Sequence, residues 1–261
     1  MSPPEIAGSA SRRDRGTTPT SSANWLAYFD RLEHQSPLYR EQSVLYVEAL
    51  TASVGVHRDQ RVLDFGCGFG FVAAMLSPLV AEVWFWDPSP HMRSMAERNT
   101  AHLSNTRFCD LSTPPSVEPE GTTWVGPPFD LILVNSVAQY MAPEELSAWL
   151  ARWRGMLAPG GKLVLSDLIP SGHSGVSDVA DLLRLGARHG SPLRAAAEAL
   201  GGLRRYWRTS RAVPLVRVGP EDLERAAAGA DLETTALPHN LTHFSKRWTA
   251  VLLPRSRQGD G

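Results

Sequence analysis

Two carboxylates, Asp64 and Asp87, stand at or near the ends of apolar runs, and the first stands two residues ahead of a turn spaced Gly66-x-Gly68-x-Gly70. Alternate glycines let the backbone come close to a ligand, since no Cβ stands in the way. A dinucleotide site spaces its glycines G-x-G-x-x-G, rests the pyrophosphate on a helix N-terminus and uses the third glycine for close helix–strand packing. A carboxylate at position 64 would repel a pyrophosphate, but it could accept hydrogen bonds from the ammonium of an amino-acid-bearing cofactor. Asp87 lies about 20 residues beyond the glycines, where an acid that holds both hydroxyls of a ribose belongs. Residue types and spacing therefore favour S-adenosylmethionine over a nicotinamide dinucleotide.

The elements that must position these groups are read outward from VLDFGCGFG, Val62 to Gly70: a buried strand, the glycine turn and, from Phe71 to Leu76, a helix. Trp84 to Asp87 reads as a second strand, with Trp84 and Trp86 on one face by period two and suited to sheet packing. Ser89-Pro90 reads as an N-cap and first-turn proline opening a helix over 89–101. The helix after the glycine turn is expected over 71–77, and a further one at 143–157. Strands alternating with helices imply a parallel sheet with right-handed crossovers and ligands at the strands' C-terminal ends. That rule brings Asp64, Asp87, Asp110, Asn135 and the segment after Asp167 to one crevice.

The stretch around the glycines resembles motif I of the class I S-adenosylmethionine-dependent methyltransferases. RFCDLS, Arg107 to Ser112, is similar to the segment after that family's third strand. FDLILVNSVAQYM, Phe129 to Met141, looks like its fourth strand and active-site loop, and LAPGGKLVLSDLI, Leu157 to Ile169, like its helix-turn-fifth-strand signature. The likeness runs in order over roughly residues 60 to 170. It implies an α/β fold, a doubly wound, seven-stranded, mostly parallel sheet, with S-adenosylhomocysteine as product. The cofactor set it implies is Asp64, Gly66, Cys67, Gly68, Asp87, Pro88, Met92, Asp110, Leu111 and Asn135, with Asp110 toward the adenine amino group. Met92 is equally suited to the core.

Outside that stretch, residues 1–23 are polar and read as a disordered tail, 24–58 as a helical cap divided by Pro37, and 59–170 as the cofactor-binding core. Residues 171–218 read as a helical lid insertion, with helices near Val176–Arg188 and Pro192–Leu203 and an excess of arginine over acid. Such a segment could exclude water and shape a pocket; arginines lying along amphipathic helices are the plainer explanation. Residues 219–254 complete the sheet with a short helix at 221–229 and strands near 231–237 and 247–253, and 255–261 is a frayed tail.

Methyl transfer is an in-line displacement on a methyl already activated by a sulfonium, so the protein must chiefly align two molecules and keep them dry. A general base helps where the acceptor must lose a proton. His243, His239 and His173 are the candidates, since histidine titrates near neutrality. Tyr28, Tyr39, Gln139 and Tyr140 are the candidate substrate contacts. The fourth-strand loop reads Val134-Asn135-Ser136-Val137, not Asn-Pro-Pro-Tyr, and no acidic cluster for a divalent metal is evident, so no metal is expected. Both features argue against adenine or glutamine N-methylation and against metal-dependent catechol methylation.

The chain has 261 residues, 43% of them hydrophobic, and a formal net charge of −1. Such a balance offers no global field for nucleic acid. No apolar run approaches the roughly 20 residues of a membrane span, and the N-terminus has no secretory h-region, so a cytoplasmic location is expected. The two cysteines, Cys67 and Cys109, are expected to be free, buried and non-catalytic. Lys162 and Lys246 are the two lysines among 26 basic residues, the rest being arginine, a bias that suggests a GC-rich bacterial source. The expected function is methylation of a small-molecule acceptor, oxygen slightly favoured, in bacterial specialised metabolism. Alternatives are a quinone or lipid-like acceptor, and a non-catalytic scaffold that binds the cofactor. The helical insertion could equally pack against a second subunit as a homodimer.

Overall fold

The computed structural model describes residues 26, 29, 30, 37–111, 124–188 and 215–255. The N-terminal tail, Tyr28, the Pro192–Leu203 helix and the last residues of the chain lie outside them. The described elements, in order, are α1 (Pro37–Ser53), β1 (Arg61–Phe65), α2 (Phe71–Leu76), β2 (Glu82–Trp86), α3 (Pro90–Thr100), β3 (Thr106–Phe108) and β4 (Phe129–Asn135). Then come α4 (Pro143–Met156), β5 (Leu157–Leu168), α5 (Gly175–Arg188), α6 (Pro220–Gly229), β6 (Leu232–Ala236) and β7 (Trp248–Pro254).

Seven strands form one sheet in the order β3-β2-β1-β4-β5-β7-β6. All neighbours pair in parallel except β7, which is antiparallel to β5 and to β6. The order reverses between β1 and β4, the switch point at which open α/β sheets bind ligands. Because β6 again runs with β5, the segment joining β6 to β7 emerges at the C-terminal edge, beside the ends of β4 and β5.

Both sheet faces are covered, so the central strands read as continuous apolar runs rather than alternating ones. On one face Val62, Leu131, Leu133 and Val164 pack with Tyr46 and Leu50 of α1 and Val72 and Leu76 of α2. On the other, Leu63, Phe65, Ile132 and Leu165 meet α4 and α6. α4 buries Leu146, Trp149, Leu150, Trp153 and Met156, a stripe at helical spacing. Pro143 opens that helix, with Glu144 and Glu145 in its first turn and Arg154 in its last, as the helix dipole favours. Trp86 lies in this layer, its ring 4.7 Å from that of Phe65 and 5.8 Å from that of Trp149.

The glycine turn and Ser89 form as expected. The Ser89 side chain accepts from the Met92 amide and Pro90 stands at the first helical position. The segment after Met156 differs in detail, with pairing beginning at once at Leu157 and a register shift on β4 between Phe129 and Leu131. Lys162 donates from Nζ to the carbonyl of Val54 at 2.9 Å, tying the C-terminal end of α1 to β5. Among the described residues no helix is long and apolar enough to cross a membrane.

Candidate functional site

Asp64 is the next-to-last residue of β1, only 3% exposed, and among the described residues its Oδ2 has no hydrogen-bond partner. Burial, reinforced by the nearby charge of Asp87, raises its pKa to about 7. A buried acceptor without a donor is costly, and a cationic donor placed there would relieve the cost. The glycine turn passes directly above. Gly66, Gly68 and Gly70 all have positive φ, and the amides of Gly66 and Cys67 donate to the Trp86 carbonyl at 2.7 and 3.0 Å, pinning the turn across the end of β2.

Two of these glycines serve different ends. A Cβ on Gly66 would lie 2.4 Å from Cγ2 of Val137, so the turn presses on the loop after β4. Among the described residues a Cβ on Gly68 would meet nothing within 4 Å. There the missing side chain leaves room for a ligand and not for a protein neighbour.

Asp87 follows β2 and is held by two amides, Gly68 N to Oδ2 and Ser89 N to Oδ1, each at 2.9 Å. Burial raises its pKa to about 6, with those two amides acting in the opposite sense. Ser89 Oγ also donates to Asp30 Oδ1 at 2.5 Å. The neighbouring Phe29 sets its ring edge-on to Tyr140, centroids 5.4 Å apart. Residues 29 and 30 thus reach both the end of β2 and the loop after β4.

The ends of β4 and β5 are joined by a second polar cluster. Asp167 is 1% exposed. Its Oδ2 accepts from Ser136 Oγ at 2.8 Å and from Arg247 at 2.7 Å, and its Oδ1 from Thr242 Oγ1 at 2.7 Å and Asn240 Nδ2 at 3.3 Å. Arg247, itself buried, also donates to Asp178 Oδ2 at 2.7 Å and stacks its guanidinium 4.1 Å from the Phe244 ring centroid. Burial opposes its charge, but Asp167 and Asp178 outweigh that and hold its pKa above the ordinary arginine value. Asp181, one turn along α5, accepts from both the amide and the hydroxyl of Ser245. α5 therefore turns carboxylates, not only leucines, toward the sheet.

Of the residues read from sequence as cofactor contacts, Asp64, Gly66, Cys67, Gly68 and Asp87 gather at the β1 and β2 ends. Pro88 is exposed beside Asp87, and Asn135 ends β4 half-buried. Asp110 is exposed just past β3, where Leu111 is buried, at 1%. Met92 is 2% exposed and lies in the packed interior. Cys67 is half-buried rather than buried, Cys109 is buried, and both are free.

Among the proposed substrate contacts, Tyr39 is exposed and stands 5.4 Å from the Phe69 ring, beside the glycine turn. Gln139 is buried, its carbonyl accepting from the Val216 amide while its Oε1 has no partner among the described residues. The three histidines separate. His239 is exposed. His173 places Nε2 3.0 Å from Asp178 Oδ1, off-line for a hydrogen bond. His243 lies against Phe244, and burial lowers its pKa despite the carboxylates nearby. Among the described residues no group of three His, Cys, Asp or Glu is placed to hold a metal ion. Sequence reasoning missed Arg247 and the strained backbone at Ser136 and Asp167, whose φ values are 59° and 67°.

Residues 63–163 match the family described as a methyltransferase domain. Carboxy-S-adenosyl-L-methionine synthase of Pseudomonas syringae is 33% identical over 115 residues, 42% of this chain and 45% of that protein. Ubiquinone biosynthesis O-methyltransferase of Bradyrhizobium diazoefficiens is 32% identical over 110 residues, covering 41% of this chain and 40% of its own length. The chain thus spans less than half the length of these curated relatives. The solved complex of DhpI with S-adenosylhomocysteine superposes with a TM-score of 0.58 at 17% identity, covering 92% of this chain and all of the other. At that identity the likeness is one of fold.

Proposed function

We propose that this chain, whose residues 63–163 are a methyltransferase domain on the class I fold, is an S-adenosylmethionine-dependent methyltransferase acting on a small-molecule acceptor. The observation that carries the reading is the buried Oδ2 of Asp64, without a partner among the described residues, set under a turn in which Gly68 has none of those residues in the way of a Cβ. These residues fit a ligand with an ammonium, a ribose and a narrow waist. Asp64 would receive the ammonium. Asp87, already fixed by two amides, would receive the ribose hydroxyls, and Asp110 would lie toward the base.

The cofactor supplies a methyl on a positively charged sulfur, so the protein need not activate it further. What the chain contributes is orientation and exclusion of water, worth about 7–11 kcal/mol where alignment is good. Residues 29 and 30, which reach Ser89 and Tyr140, would close the crevice from the N-terminal side, and the segment after β5 from the other. Oxygen methylation is the favoured outcome, and an aromatic, quinone-like acceptor is a second reading supported by the ubiquinone-pathway relative and by the Phe29–Tyr140 pair at the crevice.

The test is calorimetric titration with S-adenosylmethionine and S-adenosylhomocysteine, then detection of methylated product with phenols, carboxylates and amines. Micromolar binding with turnover supports the reading. Binding without product from any class would favour a scaffold, and absence of binding in folded protein would overturn the cofactor assignment.

A further inference from the structure

Two of the three non-glycine residues with positive φ among the described residues, Ser136 and Asp167, sit at adjacent strand ends and hydrogen-bond to each other. Backbone strain of this kind persists only where the surroundings over-determine it, and it collects at functional sites. The strand order decides which side of the crevice the pair serves. If Asp64 on β1 holds the ammonium and Asp87 on β2 the ribose, the base extends toward β3, and the acceptor is left the side of β4 and β5. Ser136 borders the cradle there, since the next residue, Val137, lies where a Cβ on Gly66 would fall.

The groups donating to Asp167 are not equivalent. Arg247 and the Asn240 amide nitrogen are donors only. Thr242 Oγ1 donates to Asp167 but already accepts from Asn240 Nδ2 at 2.7 Å and from the Phe244 amide at 3.3 Å. Ser136 Oγ donates to Asp167 Oδ2 at 2.8 Å, with Asn135 Oδ1 a longer second acceptor at 3.5 Å, and, among the described residues, accepts from nothing. It is a hydroxyl with open lone pairs and a buried carboxylate behind it.

Resting on the methyltransferase reading above, we infer that Ser136 is the hydrogen-bond acceptor for the X–H of the methyl acceptor, with Asp167 and Arg247 as its positioning residues, so that the acceptor is a hydroxyl or an uncharged amine. The acceptor's heteroatom then bonds to the methyl as the methyl–sulfur bond breaks, its electron pair remaining on sulfur. Positive charge moves from sulfur onto X–H, where Ser136 meets it and the Asp167 carboxylate stabilises it. The proton is released to water past Ser136. Arg247, donating to Asp167 at 2.7 Å, holds the carboxylate in place behind Ser136.

The experiment uses protein saturated with S-adenosylhomocysteine and titrated with two matched probe pairs, phenol against anisole and aniline against N,N-dimethylaniline. Loss of S-adenosylhomocysteine binding in the unaltered protein would fell the methyltransferase reading itself. Given that binding, the expected result is a preference of about fivefold or more for phenol or for aniline over its methylated counterpart. Whichever pair shows it identifies the heteroatom. Ser136→Gly, which accommodates the positive φ without strain, should abolish the preference and leave S-adenosylhomocysteine affinity unchanged, and Ser136→Ala should agree. No preference in the loaded protein, including no binding of any probe, overturns the inference, as does a preference that survives Ser136→Gly.

Discussion

The amide of Gly68 donates to Oδ2 of Asp87 at 2.9 Å, so the glycine turn is held in place by the carboxylate proposed to bind ribose. On that proposal one side chain would serve both the shape of the cradle and its chemistry. Asp87→Ala should weaken S-adenosylhomocysteine binding by about 1.5–3 kcal/mol, the range for a hydrogen bond to a charged group. Calorimetry checks it, and binding within twofold of the parent would refute the role.

Gly66 and Gly68 should respond differently to alanine. At Gly66 the new methyl would collide with Val137, an overpacking that costs about 1–3 kcal/mol of stability, and Val137→Ala should recover part of it. At Gly68 the methyl meets none of the described residues, so the loss in unfolding free energy should be near the ~1 kcal/mol of a left-handed residue while cofactor affinity falls further. Denaturation curves read beside binding isotherms separate the two.

Asp64 makes ligand binding depend on pH. Its folded pKa of about 7 exceeds the ordinary 3.8, so the ligand-free protein binds a proton that the unfolded chain releases. The favourable contribution of that group is complete below pH 4 and is lost as pH rises through about 7. An ammonium beside it would drive the proton off. Titrations near pH 6.5 in buffers of different ionisation enthalpy should register release of up to one proton, vanishing by about pH 8.5 and absent in Asp64→Asn.

Arg247 carries the second cluster. Replacing it with methionine removes the partner of two buried carboxylates, a change that costs about 3–5 kcal/mol. Arg247→Lys should lose less, since it keeps the charge but cannot reach both carboxylates with a planar fork. Urea unfolding gives the comparison, and a methionine variant as stable as the parent would show the network to be dispensable.

The sheet and the cradle were legible because their signals are local. VLDF is a buried strand by composition, the glycines announce the turn, and Ser89-Pro90 marks a helix start by cap chemistry alone. The Asp167 cluster was not legible, because its members come from β4, β5, α5 and the approach to β7 and meet only when the chain folds. Nothing near Arg247 in sequence distinguishes it from the many other arginines. The positive φ of Ser136 was equally hidden, because serine has no strong preference for that conformation. Met92 illustrates the reverse case: its place in the sequence suits the cofactor or the core equally, and its side chain is 2% exposed.

The tryptophans beneath the cradle give the molecule an optical signature. Trp149 and Trp153 are stacked with centroids 5.6 Å apart and planes 24° apart, and Trp86, the residue before Asp87, lies against Trp149. Indoles so close and so fixed should couple their transitions and produce a circular-dichroism couplet that disappears when tertiary packing is lost. Since the Trp86 carbonyl also anchors the glycine turn, emission from this group should change when the cradle fills, which makes occupancy readable without a label.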